Sequence, residues 1–204
     1  MKAYQFEIRQ EVSARKISSL FHFTPLENVR SVLINGLASR ILLEGSGISF
    51  VAPDTKRLDD CLDGLSVSIE SINESIFEAK KRQHRFEWAI VRLDASVLWT
   101  HSCRFCWVNA ASSEIRKHSG FKGGPWALRQ MFKDRLVGGE SFRSKHTIPD
   151  YLPTRNDAEV QVLDPIDPSL INGIFVRTEK SKANLAHFMD EHGCSKTVFV
   201  MDDM

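Results

Sequence analysis

The segment from residue 20 to residue 37 constrains the fold more than any other part of the chain. It begins with a short apolar run, Leu20–Phe23, which is typical of a buried strand. Thr24 is a favourable helix N-cap, and Glu27, three residues later, completes a capping-box pattern. Apolar residues then recur at helical spacing as far as Gly36, which is placed to end the helix. The sequence therefore predicts a strand that passes directly into a helix.

The junction between this strand and this helix carries two side chains suited to ligand binding. His22 lies within the apolar run, and Thr24 lies at its end. Backbone N–H groups and the helix dipole favour an anionic ligand at such a junction. A histidine satisfied within the core and a threonine that only caps the helix are the simpler alternatives. The residues alone leave both interpretations open.

Short strands outnumber helices in the rest of the chain and do not alternate strictly with them. Beyond the first strand, we predict strands over residues 65–69, 86–93, 104–108, 158–163, 174–176 and 196–201. We predict helices over residues 73–84, 126–132 and 178–193, and irregular structure over residues 38–64 and 134–156. This order favours an α+β fold, with central antiparallel or mixed β-sheets flanked by helices, over a doubly wound fold.

The composition is that of one soluble globular domain spanning residues 1–204. Hydrophobic residues make up 42% and charged residues 26% of the chain. We expect a cytoplasmic protein with no membrane partner, because we find neither a long apolar run nor a signal-peptide pattern. The net charge of +1 does not fit a non-specific DNA binder, so any DNA contact requires a local cluster of cations.

The cysteines and glycines indicate which ligand sites to expect. Cys103 and Cys106 form the one Cys-x-x-Cys pair, and a structural zinc site needs four ligands. We therefore predict no metal and expect buried, reduced thiols. The sequence also lacks a Gly-x-Gly-x-x-Gly run and a Walker-type loop, so a Rossmann-type dinucleotide site is not expected.

Three motifs in order resemble the DarT family of DNA ADP-ribosyltransferases, over about residues 17–176. In chain order they are the strand with His22 and Thr24 followed by a helix with Asn28 and then Gly36–Leu37, the loop Asp54–Asp59, and the strand Asn156–Val162 with its Ala-Glu-Val sequence. The resemblance implies an ADP-ribosyltransferase-like fold. It also implies an enzyme that transfers ADP-ribose from NAD⁺, as co-substrate, to a DNA base.

The resemblance assigns the catalytic role to Glu159, supported by Arg57 and His22. Cleavage of the nicotinamide–ribose bond passes through a cationic transition state that a nearby carboxylate stabilises. A carboxylate on a rigid strand can also accept a hydrogen bond from a ribose hydroxyl and deprotonate an attacking amine. On spacing alone, Glu159 fits a solvent-facing strand position equally well, and Arg57 fits an ion pair with a neighbouring aspartate.

The NAD⁺-binding residues implied by the resemblance come from the first half of the chain. They are His22, Thr24, Asn28, Gly36, Leu37, Ser49, Arg57 and Ser68. In this set His22 holds the adenosine ribose, Asn28 lies on the adenine side, and the two serines line the nicotinamide pocket. Exposed helical asparagines and lone strand serines are common without such roles.

The DNA-binding residues are expected in the irregular segment 134–156, which supplies cations and aromatic rings just before Glu159. We predict DNA contacts from Arg143, Lys145, Tyr151 and Arg155, and a single-stranded substrate. A solvated, charged loop is the alternative. The segments 66–77 and 109–111 resemble the guanine-directed branch of the family more than the thymine-directed one. Asp157 departs from the wider class, in which Gln or Glu stands two residues before the catalytic glutamate.

The sequence is compatible with several functions. The leading hypothesis is the toxin of a toxin–antitoxin system, acting on guanine and paired with a DarG-like antitoxin of the macrodomain or NADAR type that removes the ADP-ribose. The alternatives are transfer to thymine, to RNA or to protein. Non-enzymatic alternatives are a nucleic-acid-binding module and a protein-interaction domain, neither of which requires Glu159.

Overall fold

The structure is a computed structural model that describes residues 2–53, 61 and 63–201. In these residues the helices are α1 (Ala3–Ala14), α2 (Val29–Asn35), α3 (Arg40–Gly45), α4 (Glu74–Gln83), α5 (Val97–Thr100), α6 (Ser113–Lys117), α7 (Pro125–Met131), α8 (Phe142–Lys145) and α9 (Glu179–Glu191). The strands are β1 (Ser19–Pro25), β2 (Leu65–Ile69), β3 (Trp88–Asp94), β4 (Cys103–Cys106), β5 (Leu136–Val137), β6 (Glu140–Ser141), β7 (Glu159–Val162), β8 (Ile171–Val176) and β9 (Val198–Val200).

Seven of these strands form one mixed sheet, in the order β4-β7-β2-β1-β3-β8-β9. Neighbouring strands are antiparallel except β8 and β9, which are parallel. β5 and β6 form a separate hairpin. The predicted α+β class is confirmed, because the sheet is built from short antiparallel strands rather than from repeated strand–helix–strand units.

The two faces of the sheet bury different sets of side chains. In β2, Leu65, Val67 and Ile69 enter the main hydrophobic cluster, while the intervening serines face the other side, as strand alternation requires. Behind the opposite face, Phe77 of α4 packs with Trp88 and Ile90 of β3 in a smaller aromatic cluster. The residues that alternate with the core therefore become available to line a surface site.

The predicted capping box at Thr24 is wrong. β1 continues to Pro25, which pairs with Trp88 of β3, so Thr24 is still a strand residue. A 3-10 turn, Leu26–Asn28, follows before α2 begins, and no side chain caps that turn. Backbone pairing with β3 keeps Thr24 extended, so it cannot act as the N-cap that the local sequence favours. The predicted end of the helix is confirmed, because Gly36 follows α2 with φ of +78°.

Two segments that were expected to be irregular contain short regular elements. Helix α3 lies within residues 38–64, and the β5–β6 hairpin and α8 lie within residues 134–156. The predicted helices over residues 73–84 and 178–193 are confirmed as α4 and α9, and each has an N-cap, since Asn73 and Thr178 accept hydrogen bonds from the backbone N–H groups of Ile76 and Ser181. No helix in the described part of the chain has the length and apolar character needed to cross a membrane.

Candidate active site

A cavity of about 470 Å³ opens beside the paired ends of β1 and β2. These strands pair at Leu20–Ile69 and Phe21–Ser68. One residue further along β1, the Nδ1 atom of His22 lies 2.9 Å from the carbonyl oxygen of Ser66, so a side chain connects the two strands at this point. His22 and Ser66 both line the cavity. Strand geometry therefore places His22 at the wall of a pocket rather than in the closed core.

The segment that follows α3 is held over this cavity by Asn28. The Asn28 side chain accepts a hydrogen bond from Val51 N at 2.8 Å and donates to the Val51 carbonyl oxygen at 2.9 Å. It also donates to Thr24 Oγ1 at 2.9 Å, and Thr24 is buried. Asn28 and Thr24 line the cavity, but the hydrogen bonds that they make within the protein show that they also shape it.

Glu159 stands at the first position of β7, at the edge of the same cavity. Its side chain is half-buried and accepts a hydrogen bond from the backbone N–H of Ala110 at 2.7 Å. Because β7 pairs with β4 through Glu159 and Cys106, the loop after β4 is brought directly beside this carboxylate. A backbone donor is fixed in direction, so the carboxylate is oriented before any ligand arrives.

A second carboxylate, Asp157, lines the cavity two residues before Glu159. Arg155 donates to both of its oxygens, at 2.8 and 3.0 Å. This ion pair lowers the pKa of Asp157, so the aspartate is anionic at neutral pH. The aspartate that departs from the Gln or Glu expected at this position therefore has its charge paired with Arg155.

The thiols of the Cys-x-x-Cys pair are structural. Cys103 belongs to the main hydrophobic cluster, and Cys106 belongs to a separate cluster with Val108, Ala110 and Ile115. Burial, and then the nearby charge of Glu159, raises the pKa of Cys106 to about 12. Both cysteines are buried, as predicted. Among the described residues, no group of three or more potential metal ligands comes together.

Most of the predicted NAD⁺-binding residues converge on this cavity. Those that line it are His22, Thr24, Asn28, Gly36, Leu37 and Ser68, with Glu159 at the edge. The structure places Ser49 in an exposed position outside the lining, while its neighbours Phe50 and Val51 belong to it. Arg57 lies outside the described residues, so its predicted role stays a prediction.

Ser39 and Trp88, which were not predicted as site residues, each have a buried polar atom without a hydrogen-bond partner among the described residues. Ser39 is 3% exposed and Trp88 is 5% exposed, and neither Ser39 Oγ nor Trp88 Nε1 has a hydrogen-bond partner within the described chain. Both residues line the cavity. An unpaired buried polar group is costly, so both atoms fit a polar ligand in this pocket. A lone serine and a core tryptophan give no signal for this in the sequence.

The cavity is also lined by cationic side chains, from Arg40 of α3 and Lys80 of α4. A dinucleotide requires hydroxyl and amide partners for its riboses and positive charge near its pyrophosphate. His22, Ser39, Arg40 and Lys80 together supply such groups, so the residues present fit NAD⁺. Neither cation was identified from the sequence, because α3 and α4 give no motif that places them at a pocket.

One of the four predicted DNA-binding residues, Arg155, lines a second cavity of about 480 Å³ that shares Ser68 with the first. Arg155 lines it, together with Arg135 and Phe142. Arg143 and Lys145 belong to α8, and Tyr151, in the loop beyond it, is 41% exposed. Of the predicted set, Arg155 is therefore the residue that the structure places in the lining of this cavity.

Arg143 forms hydrogen bonds within its own segment of the chain. Its guanidinium donates to the carbonyl oxygens of Leu152 at 3.0 Å and Pro149 at 2.7 Å and to Thr154 Oγ1 at 2.8 Å. Partial burial, and then the nearby charge of Arg15, lowers the pKa of Arg143. These three hydrogen bonds give Arg143 a structural function that the sequence did not reveal, and its predicted DNA contact stays a prediction.

The fold and the cavity beside Glu159 fit an ADP-ribosyltransferase, and comparison with known proteins supplies the family. The family model described as DarT, ssDNA thymidine ADP-ribosyltransferase, matches residues 21–204. The chain therefore belongs to the DarT family and is an NAD⁺-dependent DNA ADP-ribosyltransferase, as the sequence motifs predicted. A search of curated proteins found no match.

Solved structures of DarT proteins share the fold at low sequence identity. The chain is similar to Thermosipho africanus DarTG in complex with ADP-ribose, with 17% identity and a TM-score of 0.55 over 90% of this chain and 50% of that one. It is also similar to Thermus sp. 2.9 DarT in complex with carba-NAD⁺, with 12% identity and a TM-score of 0.58 over 91% and 96% of the two chains.

A third similar structure is Thermus sp. 2.9 DarT in complex with ADP-ribosylated ssDNA, with 13% identity and a TM-score of 0.57 over 92% and 96% of the two chains. This chain spans half the length of the DarTG protein and nearly the whole length of the Thermus DarT. At these identities the structures confirm the predicted ADP-ribosyltransferase fold.

Proposed function

We propose that this chain transfers ADP-ribose from NAD⁺ to a guanine base in single-stranded DNA and releases nicotinamide. The observation that carries the proposal is the oriented Glu159 carboxylate at the edge of a cavity that fits NAD⁺. The second cavity, lined by Arg155, adjoins the first through Ser68 and offers space for the acceptor strand. Donor and acceptor then meet at the start of β7.

The reaction uses Glu159 in two ways. As nicotinamide departs, positive charge develops on the ribose, and the fixed carboxylate stabilises that charge. The same carboxylate then accepts a proton from the attacking base as the new C–N bond forms, which is a general-base role. Asp157 takes no proton in this scheme, because its ion pair with Arg155 lowers its pKa and so weakens it as a base.

The choice of guanine rests on the attacking atom and on local sequence. The exocyclic amine of guanine is a poor nucleophile because its lone pair is delocalised into the ring, so it needs an oriented base. Glu159 supplies one, and loop 109–111, whose sequence favours the guanine-directed branch, is the segment that orients it. The family description names thymidine, and the Thermus relative holds ADP-ribosylated ssDNA. Thymine is therefore the competing acceptor.

The biological setting that we propose is a toxin–antitoxin pair in the cytoplasm. Bulky ADP-ribose on template bases blocks replication, so such an enzyme requires an activity that removes the modification. The similar Thermosipho africanus protein is a DarTG, which supports a DarG-like partner for this chain. A macrodomain or a NADAR-type hydrolase would meet this chemical requirement.

The test is the intact mass of short single-stranded oligonucleotides after incubation with the protein and NAD⁺. Four oligonucleotides, in each of which the single variable base is guanine, thymine, adenine or cytosine, identify the acceptor. We expect one added ADP-ribose on the guanine strand, and Glu159→Gln should slow its formation by roughly 10²–10⁴-fold. Glu114→Gln serves as the matched control, because Glu114 lies outside both cavities.

Each result separates one part of the proposal. Addition to the thymine strand alone would keep the reaction and overturn the base. Addition to RNA or protein, with every DNA strand unmodified, would overturn the acceptor class. If Glu159→Gln modified DNA as fast as the unchanged protein, the assignment of the catalytic carboxylate would be wrong.

A further inference from the structure

The β5–β6 hairpin carries an exposed apolar tip that the proposed reaction does not yet use. Leu136 is 74% exposed and Val137 is 46% exposed. The hairpin turns through Gly138 and Gly139, whose φ angles of +63° and +86° suit a tight two-residue turn. A Cβ atom added at either glycine would meet nothing within 4 Å, so the tip projects into open space.

The base of this hairpin is held firmly. The Asp134 carboxylate accepts hydrogen bonds from the backbone N–H groups of Arg135 at 2.8 Å and Arg143 at 3.0 Å. The Arg135 guanidinium lies over the Phe142 ring at 4.1 Å, and the Phe142 N–H donates to the Arg135 carbonyl oxygen at 2.8 Å. An anchored base with a projecting apolar tip is the form of a wedge rather than that of a disordered loop.

The position of the hairpin relates it to the acceptor strand. Arg135, at its base, lines the second cavity together with Arg155 and Ala158, and Ala158 directly precedes Glu159. Exposed cations stand at Lys133 and Arg135, at the base of the hairpin, and at Lys145 of α8, which lies 3.9 Å from the exposed carboxylate of Glu140 beside the turn. The three cations outnumber the two exposed carboxylates of the same segment, Asp134 and Glu140, so the hairpin offers apolar side chains and a small excess of positive charge to a strand whose bases are apolar and whose backbone is anionic.

We propose that Leu136, the more exposed apolar side chain of the hairpin, inserts between two bases of single-stranded DNA and unstacks the acceptor base from its neighbour. Apolar side chains of this size separate base steps in other DNA-binding proteins. An enzyme that reacts with a base atom must first free that base from its stack. The inference deepens the proposed function and rests on its DNA acceptor.

The experiment measures unstacking without transfer. A short single-stranded oligonucleotide carries 2-aminopurine beside the single guanine, and its emission rises when the fluorescent base loses its stacked neighbour. The protein is added without NAD⁺, and fluorescence anisotropy of an end-labelled copy measures binding separately. The variants are Leu136→Ala, Leu136→Met as the conservative replacement, and Phe6→Ala as a control from an exposed apolar site on α1.

We expect the unchanged protein, Leu136→Met and Phe6→Ala to raise the emission to the same level. Leu136→Ala should reduce this rise by at least about twofold, because alanine is too short to fill the base step. Because Leu136 is exposed, its replacement should leave the fold intact, and circular dichroism checks this.

Three results would overturn the inference. The first is emission that stays flat while anisotropy shows that the DNA is bound. The second is a Leu136→Ala variant that raises the emission as much as Phe6→Ala does. The third is loss of a dimer on Leu136→Ala, which would show that the hairpin holds two copies of the chain together. The mass measurement described above decides the proposed transfer independently. Transfer to guanine with flat emission would leave the proposed function intact and remove the wedge.

Discussion

At the scale of single residues, the site depends on backbone and side-chain partners that the sequence does not display. Glu159 was identifiable from the Ala-Glu-Val motif, and His22 from its place in an apolar strand. The donor that orients Glu159 is a backbone N–H of Ala110, which no residue-type pattern can indicate, because every residue except proline carries that group. Ser39 and Trp88 were missed for a related reason, since their roles follow from burial alone.

Asn28 shows how a predicted ligand residue can also have a structural task. Its amide connects the first turn after β1 to Val51 through two hydrogen bonds and contacts Thr24 with a third. We expect Asn28→Ala to lower the free energy of unfolding by about 1–3 kcal/mol, because the Val51 groups lose their partners. The KM for NAD⁺ should rise as well, because the cavity wall loosens.

Urea denaturation and initial rates measure the two effects of Asn28→Ala. The control is Asn35→Ala, since Asn35 is exposed and its amide contacts only the Ser31 hydroxyl, at 3.1 Å, among the bonds described. A KM that stays constant while the stability falls would show that segment 46–53 is not part of the NAD⁺ site.

At the scale of elements, the sequence predicted the strands well and the irregular segments poorly. Alternation of apolar and serine residues in β2 and the side-chain caps of α4 and α9 are local signals, and the structure contains all three. The capping box at Thr24 failed because cross-strand pairing of β1 with β3, a long-range effect, overrides a local preference. Helix α3 and the β5–β6 hairpin are too short to produce a clear periodicity.

The end of α2 provides the sharpest test at this scale. Gly36 has φ of +78°, and a Cβ atom there would lie 2.0 Å from the carbonyl oxygen of Ile166. That oxygen also accepts a hydrogen bond from Leu37 N at 3.0 Å, in the bridge that fixes this wall of the cavity. We expect Gly36→Ala to cost at least about 1–3 kcal/mol of stability and to weaken NAD⁺ binding.

Gly45→Ala is the matched control for Gly36→Ala. Gly45 ends α3, and a Cβ atom there meets nothing within 4 Å, so its replacement should leave the midpoint of urea unfolding unchanged or slightly raised. Equal effects of the two substitutions would mean that the close contact with Ile166 does not control the position of the cavity wall.

At the scale of the whole molecule, the charge distribution sets how the protein meets DNA. The net charge is +1, so no long-range field attracts a polyanion to every surface. Residues 133–155 contain the cations that were predicted to bind DNA, but two of these are already bound within the protein, Arg143 to its own loop and Arg155 to Asp157. The sequence showed the cluster, but it could not show which members are already paired.

This division of the cations predicts a weak salt dependence of single-stranded DNA binding. If two to four phosphates are contacted, the logarithm of the affinity should fall against the logarithm of salt concentration with a slope of roughly −1.4 to −2.8. Lys145→Ala should make the slope shallower by about 0.7 if this lysine contacts one phosphate.

Lys182→Ala on α9 is the control, since Lys182 lies outside both cavities and pairs with Glu179. Anisotropy titrations at several salt concentrations measure both slopes. A slope much steeper than −2.8 would mean that DNA follows a longer cationic path than segment 133–155 provides, and an unchanged slope for Lys145→Ala would remove that residue from the DNA interface.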